Sequence, residues 1–357
     1  MMFIVGQMLT LARDYRAISQ EELARMLGMS QAQVAKIEAG LKKEVDENTA
    51  IRLVQTLGFP RGFFEQEEDL LGFGSSAYFY RKRATISAAD RRRIHSLVNL
   101  LRIATKRVLP HVEIQPKRPL PSWDIENYGD RASNVARALR AHWHLPDGPI
   151  RDLTALVESA GVIVISCEFG HKTVDATSLR LAGMPPLIFM NCEVPGDRWR
   201  FTLAHELAHL VMHREPHDQM EIEADEFAGE FLVPAAELGP QLSKLPRVQV
   251  RDLLPFKRHW KVSIQALIFR AFEAEAITEA QKKSLFVRIS QLNMRQVEPE
   301  AIERETPGNF ARMFQTLTDT LHFNSDELAS LLEWGASDMR ALLPLPNLPP
   351  VRHLRAI

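Results

Sequence analysis

Residues 200–213 read RFTLAHELAHLVMH. Apolar side chains recur at Phe201, Leu203, Ala204, Leu207, Ala208, Val211 and Met212, with no proline or glycine between them. That period predicts a largely buried helix. His205 and His209 are four apart, so they share one face a single turn from each other. Imidazoles in that relation can both reach one zinc ion, and Glu206 beside the first is placed to take a proton from water at the ion. Burying two histidines and a glutamate in an apolar helix without such a cation would be costly. The spacing HExxHxxGxxH does not develop, because Met212 stands where its glycine would be. A third ligand must therefore come from a carboxylate, histidine or cysteine farther along.

Eleven residues separate His209 from Glu221, enough for a turn and a returning helix, EIEADEFAGEFLVP. Glu221 and Asp225 are again four apart. Glu221 can complete the zinc site while Asp225 accepts a hydrogen bond from a ligand imidazole and fixes its tautomer. Glu223 is the alternative ligand, but it points elsewhere when Glu221 points inward. Ala224 and Ala228 are small enough for close helix approach, and Pro234 closes the segment. His213 either caps the first helix or lies at the cleft rim, and His217 sits in an exposed turn; either could donate to a developing oxyanion. His142, His144 and His171 read as surface or helix-end residues. The run Leu187–Met190, just before the histidine helix, is either a sheet edge that takes an extended peptide or a buried core strand.

Upstream, residues 4–64 fall into short amphipathic helices, the first with Ile4, Met8, Leu11 and Ala12 on one face. Ser19 with Glu22 and Ser30 with Gln33 are spaced as capping boxes. Leu23, Ala24, Leu27, Val34 and Ile37 point inward, and Gly28 supplies the stop. Two short helices across a turn form a helix-turn-helix, whose second helix enters a DNA major groove. Gln20, Gln31, Gln33 and Lys36 stay outside as candidate contacts to adenine, guanine or phosphate. Residues 1–65 carry eight Lys/Arg and eight Asp/Glu, so this module has little cationic pull on DNA by itself. Residues 81–118 hold eleven Lys/Arg against Asp90 and Glu113. They read either as a supplementary phosphate contact or as the solvated basic face of a connecting or dimerising helix.

The chain has 357 residues, 45% of them hydrophobic and 25% charged, with a net charge of −1. That length suggests two or three domains. Cys167 and Cys192 are the only cysteines, too few for a disulfide framework, which suits the cytoplasm. No run is long and apolar enough for a membrane span or a secretory signal. The expected division is a helix-turn-helix domain at 1–68, a basic helix and proline-rich linker at 69–125, a zinc-binding domain at 126–295 and a helical segment at 296–357. In that last segment SDELASLLEWGASDMRALLP repeats a helix–turn–helix rhythm without exposed bases, so it reads as a packing or dimerisation cap.

The run SQEELARMLGMSQAQVAKIEAG, closed by LGFPRGFFEQ, resembles the XRE/Cro-type repressor family. VARALRAHWHL, GPIRDLTALVESAGVIVI, MPPLIFMN, GDRWRFTLAHELAHLVMH, EADEFAGEFLVP and FKRHWKVSIQALIFRAFEAEAIT together resemble the ImmA/IrrE family of metallopeptidases. The resemblance implies a mostly helical α+β fold: an all-α DNA-binding bundle, a gluzincin-like domain with a small sheet, and C-terminal helices. It carries zinc ligands to His205, His209 and Glu221 and the base to Glu206. Asp225 departs from the family's frequent Asn, and either can orient a histidine. The implied function is a transcriptional regulator with zinc-dependent endopeptidase activity. It would bind a double-stranded DNA operator as a homodimer and cleave a repressor or partner protein in a stress, mobile-element or toxin–antitoxin switch. The competing expectation is a regulator or antitoxin, with a toxin as its partner, whose peptidase fold serves as a sensor or scaffold. The intact Glu206 favours the first.

Overall fold

The computed structural model describes residues 1–70, 86–171, 173–295 and 297–343. The basic triplet Arg81-Lys82-Arg83 and the proline-rich tail at 344–350 lie outside those residues. Five short helices open the chain: α1 (Gly6–Tyr15), α2 (Gln20–Leu27), α3 (Gln31–Glu38), α4 (Glu47–Leu57) and α5 (Arg61–Glu65). They are laced by an antiparallel pairing of β1 (Met2–Phe3) with β2 (Glu44–Val45). Both capping boxes form as the spacing predicts. Gly28 ends α2 at φ 70°, a left-handed conformation that costs other residues a Cβ clash. Leu23, Ala24, Leu27, Val34 and Ile37 are all buried.

The basic stretch becomes α6 (Ala88–Val108), a core helix rather than a peripheral one. Ile94, Leu97, Val98, Leu101, Ala104 and Val108 are buried along it. Three of its six Lys/Arg residues, all in its C-terminal half, make internal ties. The buried Arg102 donates to the Asp69 carbonyl at 2.8 Å, Lys106 pairs with Glu68 at 2.9 Å, and Arg107 donates to the Leu331 carbonyl at 3.0 Å. Neither phosphate contact nor a freely solvated basic face describes these three.

Next come α7 (Ala132–His142), α8 (Leu153–Ser159), β3 (Ile163–Cys167), β4 (Ala176–Leu179), β5 (Leu187–Asn191), α9 (Gly196–Met212) and α10 (Met220–Leu232). Helices α11 (Ala235–Leu242), α12 (Leu254–Trp260), α13 (Ile264–Glu273) and α14 (Glu279–Gln291) close this unit. The sheet has the order β3-β5-β4, with β5 parallel to β3 and antiparallel to β4. Residues 187–190 therefore form the middle strand, bonded on both sides. The expectation that they offer a free edge is overturned. Among the described residues the edge beside the histidine helix is β4.

Side chains alternate across this sheet with a period of two. Ile163, Ile165, Leu187 and Phe189 join the core of the N-terminal module, while Val164, Ile188 and Met190 join the core around α9 and α10. A sheet covered on both faces needs continuous apolar strands, which is why LIFMN shows no polar alternation. The segment 297–308 crosses the start of α9. Glu305 pairs with Arg200 and accepts the Leu153 and Thr154 backbone N–H groups at 3.1 and 2.8 Å. A Cβ on Gly196 would stand 2.2 Å from the Ile302 carbonyl oxygen, so only glycine admits this crossing. Helices α15 (Asn309–Gln315), α16 (Ser325–Leu332) and α17 (Ala336–Leu342) then return to the N-terminal module. Phe314, Leu332, Trp334 and Met339 share its core with Met8, Phe59 and Phe63. The whole is a mostly helical α+β fold.

Candidate metal centre

Helix α9 presents His205 and His209, and α10 packs along it through the buried Ala224 and Ala228. That packing brings Glu221 to the imidazole pair. His205 Nε2 lies 3.1 Å from His209 Nε2 and 3.4 Å from Glu221 Oε2, and His209 Nε2 lies 3.6 Å from Glu221 Oε1. Ligands bound tetrahedrally at about 2.1 Å stand roughly 3.4 Å apart, so the triangle matches the edge of a zinc tetrahedron. Glu221 Oε1 is buried and has no hydrogen-bond partner. An orphaned carboxylate oxygen facing two imidazoles is costly unless a cation satisfies it. The residues present thus fit a divalent ion of the zinc class.

The outer contacts orient these donors. His205 Nδ1 is 2.8 Å from Asp225 Oδ1, which leaves Nε2 as the lone-pair nitrogen when Nδ1 carries the proton. His209 Nδ1 is 2.8 Å from His213 Nδ1, and His213 Nε2 is 3.1 Å from Glu223 Oε2. Glu223, the alternative third ligand, is thus turned to His213 rather than to the triangle. His217 reaches the same Glu223 oxygen at 3.7 Å.

Burial works against a charge on His205, but its hydrogen bonds with Asp225 and Glu221 outweigh it and push the pKa up to about 10. Positive charge is favoured at this position, whether carried by a proton or by a metal ion. Burial, reinforced by the surrounding imidazoles, holds His209 well below the usual histidine range. It therefore stays neutral, as a metal ligand must. Glu206 is 5% exposed. Burial pushes its pKa up, against the opposing pull of His205 and a hydrogen bond from the Ser178 hydroxyl on β4. The upward shift makes the carboxylate a stronger base than an ordinary glutamate, the direction that proton transfer from water requires.

The four candidate DNA contacts lie together on α2 and α3. Gln20 is half-buried, donating to Glu38 at 2.6 Å and accepting from Gln31 at 2.8 Å. Gln33 uses its carbonyl oxygen to cap the Ser30 N–H at 2.9 Å. Lys36 is exposed. Two features escaped the sequence reading. Ser178 sits on a strand with no motif to mark it. The His213–Glu223 contact had one signal, the repeat of the four-residue spacing from His209, but its partner lies on another helix.

Fold and site define a protein of two joined kinds: a helix-turn-helix unit, and an α+β unit with a His-His-Glu cluster between its two central helices. Residues 12–64 match the family described as helix-turn-helix, and residues 157–272 match the family described as IrrE N-terminal-like domain. The chain therefore carries an XRE-type helix-turn-helix domain at its N-terminus and an IrrE-like domain after it. No curated protein matches the chain. No helix among the described residues is long and apolar enough to cross a membrane.

Proposed function

We propose that the chain is a cytoplasmic transcriptional regulator with zinc-dependent endopeptidase activity, acting on a repressor or partner protein. The observation that carries this reading is the donor triangle of His205, His209 and Glu221, with its orphaned Glu221 oxygen, beside the buried Glu206. A divalent ion held by those residues supplies Lewis acidity, polarising a peptide carbonyl and making water a better nucleophile at neutral pH. Glu206 takes the proton of the attacking water and returns it to the leaving amine. Ser178 holds the Glu206 carboxylate in place, and Asp225 holds the ring of His205.

The proposed division of labour follows residues 1–68 for DNA, 69–125 as connection, 126–295 for chemistry and 296–357 as the segment that closes back on the first module. Lys36, Gln31, Gln33 and Gln20 supply the contacts to a double-stranded operator. A homodimer would double contacts that one neutral module makes weakly. A stress, mobile-element or toxin–antitoxin setting suits a protein that selects DNA and destroys a protein from one chain. Terminal proteomics on cells carrying wild type or Glu206→Gln tests the reading. New protein termini that depend on Glu206, together with altered promoter output, support it. Altered output with no cleaved protein would make the domain a scaffold.

A further inference from the structure

A second cluster of the same donor type lies beside the first. His213, His217 and Glu223 offer ligand atoms that all fall within 4.8 Å of one another. Glu223 Oε2 is 3.1 Å from His213 Nε2 and 3.7 Å from His217 Nε2, bracketing the spacing of roughly 3.4 Å that tetrahedral zinc imposes. His217 is 44% exposed in its side chain and His213 only 4%. One ligand can therefore swing to close the set, and the cluster opens to solvent on that side. Two imidazoles and a carboxylate suit zinc or cobalt rather than magnesium or calcium.

The two clusters are joined by the 2.8 Å contact between His209 Nδ1 and His213 Nδ1. A neutral imidazole has one N–H and one lone pair, and a contact this short holds one proton between the two rings. When His209 gives the lone pair of Nε2 to the first site, its Nδ1–H donates to His213. The proton of His213 then sits on Nε2, directed at Glu223. When His213 gives the lone pair of Nε2 to a cation, its proton must sit on Nδ1 and be donated to His209. His209 then carries its own proton on Nε2, facing His205 and Glu221. Both arrangements hold two protons on two neutral rings, but each leaves only one of the clusters with a full set of lone pairs.

We infer that His213, His217 and Glu223 form a second divalent-cation site whose occupancy opposes occupancy of the first through the His209–His213 hydrogen bond. The second site stands on its own geometry; the opposition rests also on the first site holding metal. Excess zinc-class metal would thereby disarm the centre built on His205, His209 and Glu221.

The test is a Co2+ titration of the full chain, stripped by chelator, read by the visible ligand-field bands of tetrahedral cobalt. His205→Ala, with Glu221→Gln as a second way of closing the first site, retains one cobalt per chain. Adding His217→Ala to either removes it. His217→Ala alone keeps one cobalt, at the first site. In the wild-type chain, which needs no variant to fold, a second equivalent binds at least about tenfold more weakly than the single equivalent of His205→Ala, a coupling of ordinary size between linked sites. A wild-type chain that takes no second cobalt, with none bound by either single variant, overturns the second site. A second equivalent as tight in wild type as in His205→Ala overturns the opposition. A His217→Ala chain without cobalt removes the first site and the opposition with it, while the second site is still decided by the other variants.

Discussion

Glu206 does its work as a base only if its carboxylate is free to gain and lose a proton, which the amide of Glu206→Gln cannot do. The amide keeps the shape and can still accept from Ser178. Metal content of Glu206→Gln should therefore match wild type, while cleavage falls by about 10²–10⁴-fold, the usual worth of a positioned general base. A variant that cleaves at the wild-type rate would assign the base elsewhere. Asp225 acts one step farther out, through the ring of His205. Asp225→Ala should weaken zinc about 10–100-fold in competition with a chromogenic chelator, and Asp225→Asn should restore most of it. Unchanged affinity in the alanine variant would show that His205 needs no orienting partner. His205 with His209, and Glu221 with Asp225, could be paired from the chain because a four-residue spacing puts two side chains on one helix face, but that the two pairs meet depends on how the helices pack. Ser178 could not be read at all, because its contact with Glu206 depends on how a strand lies over a helix, and no local period encodes that.

At the scale of elements, α6 shows the limit of reading charge. Its apolar stripe from Ile94 to Val108 was legible, yet the fate of Arg102, Lys106 and Arg107 was not, since their partners at Asp69, Glu68 and Leu331 come from distant chain. The same helix carries a titration consequence. Burial, with the charge of Arg91 adding to it, pushes the pKa of His95 down to about 4 from 6.5. The unfolded chain therefore takes up this proton first as pH falls. Stability is intact above pH 6.5 and is lost as the pH drops toward 4. The loss is at most about 3 kcal/mol, less what partial exposure screens. Denaturant midpoints of wild type and His95→Gln should diverge between neutral pH and mild acid, the variant losing less. Parallel curves would show that His95 is solvated in the folded chain. The strand β5 carries a related lesson: LIFMN announces burial, but only pairing on both sides shows that it is central rather than an edge.

Across the whole molecule, the sheet is shared between two cores, one reaching the helix-turn-helix and the other the metal centre. The return of α15–α17 to the N-terminal module fastens the ends together. Arg16 grips Asp338 with two hydrogen bonds of 2.7 and 2.6 Å, and the Asp338 side chain is only 2% exposed. Arg16→Ala would strand a buried carboxylate. Its cost should be about 2–3 kcal/mol, below the ~3–5 for a fully buried pair because Arg16 is itself partly exposed. Urea unfolding would read it, and a change within error would mean that α17 is not held through this pair. On the DNA side, Lys36→Ala should lower the slope of log affinity against log salt by about 1. An unaltered slope would place Lys36 away from phosphate.

The proposed chemistry depends on a zinc-class ion held where α9 and α10 meet. Anomalous scattering at the zinc edge, from crystals of the full chain grown with zinc, addresses it directly. A peak is expected about 2.0–2.2 Å from His205 Nε2, His209 Nε2 and a Glu221 oxygen. A map with no peak among those three side chains, from protein loaded with a single equivalent of zinc, would contradict it.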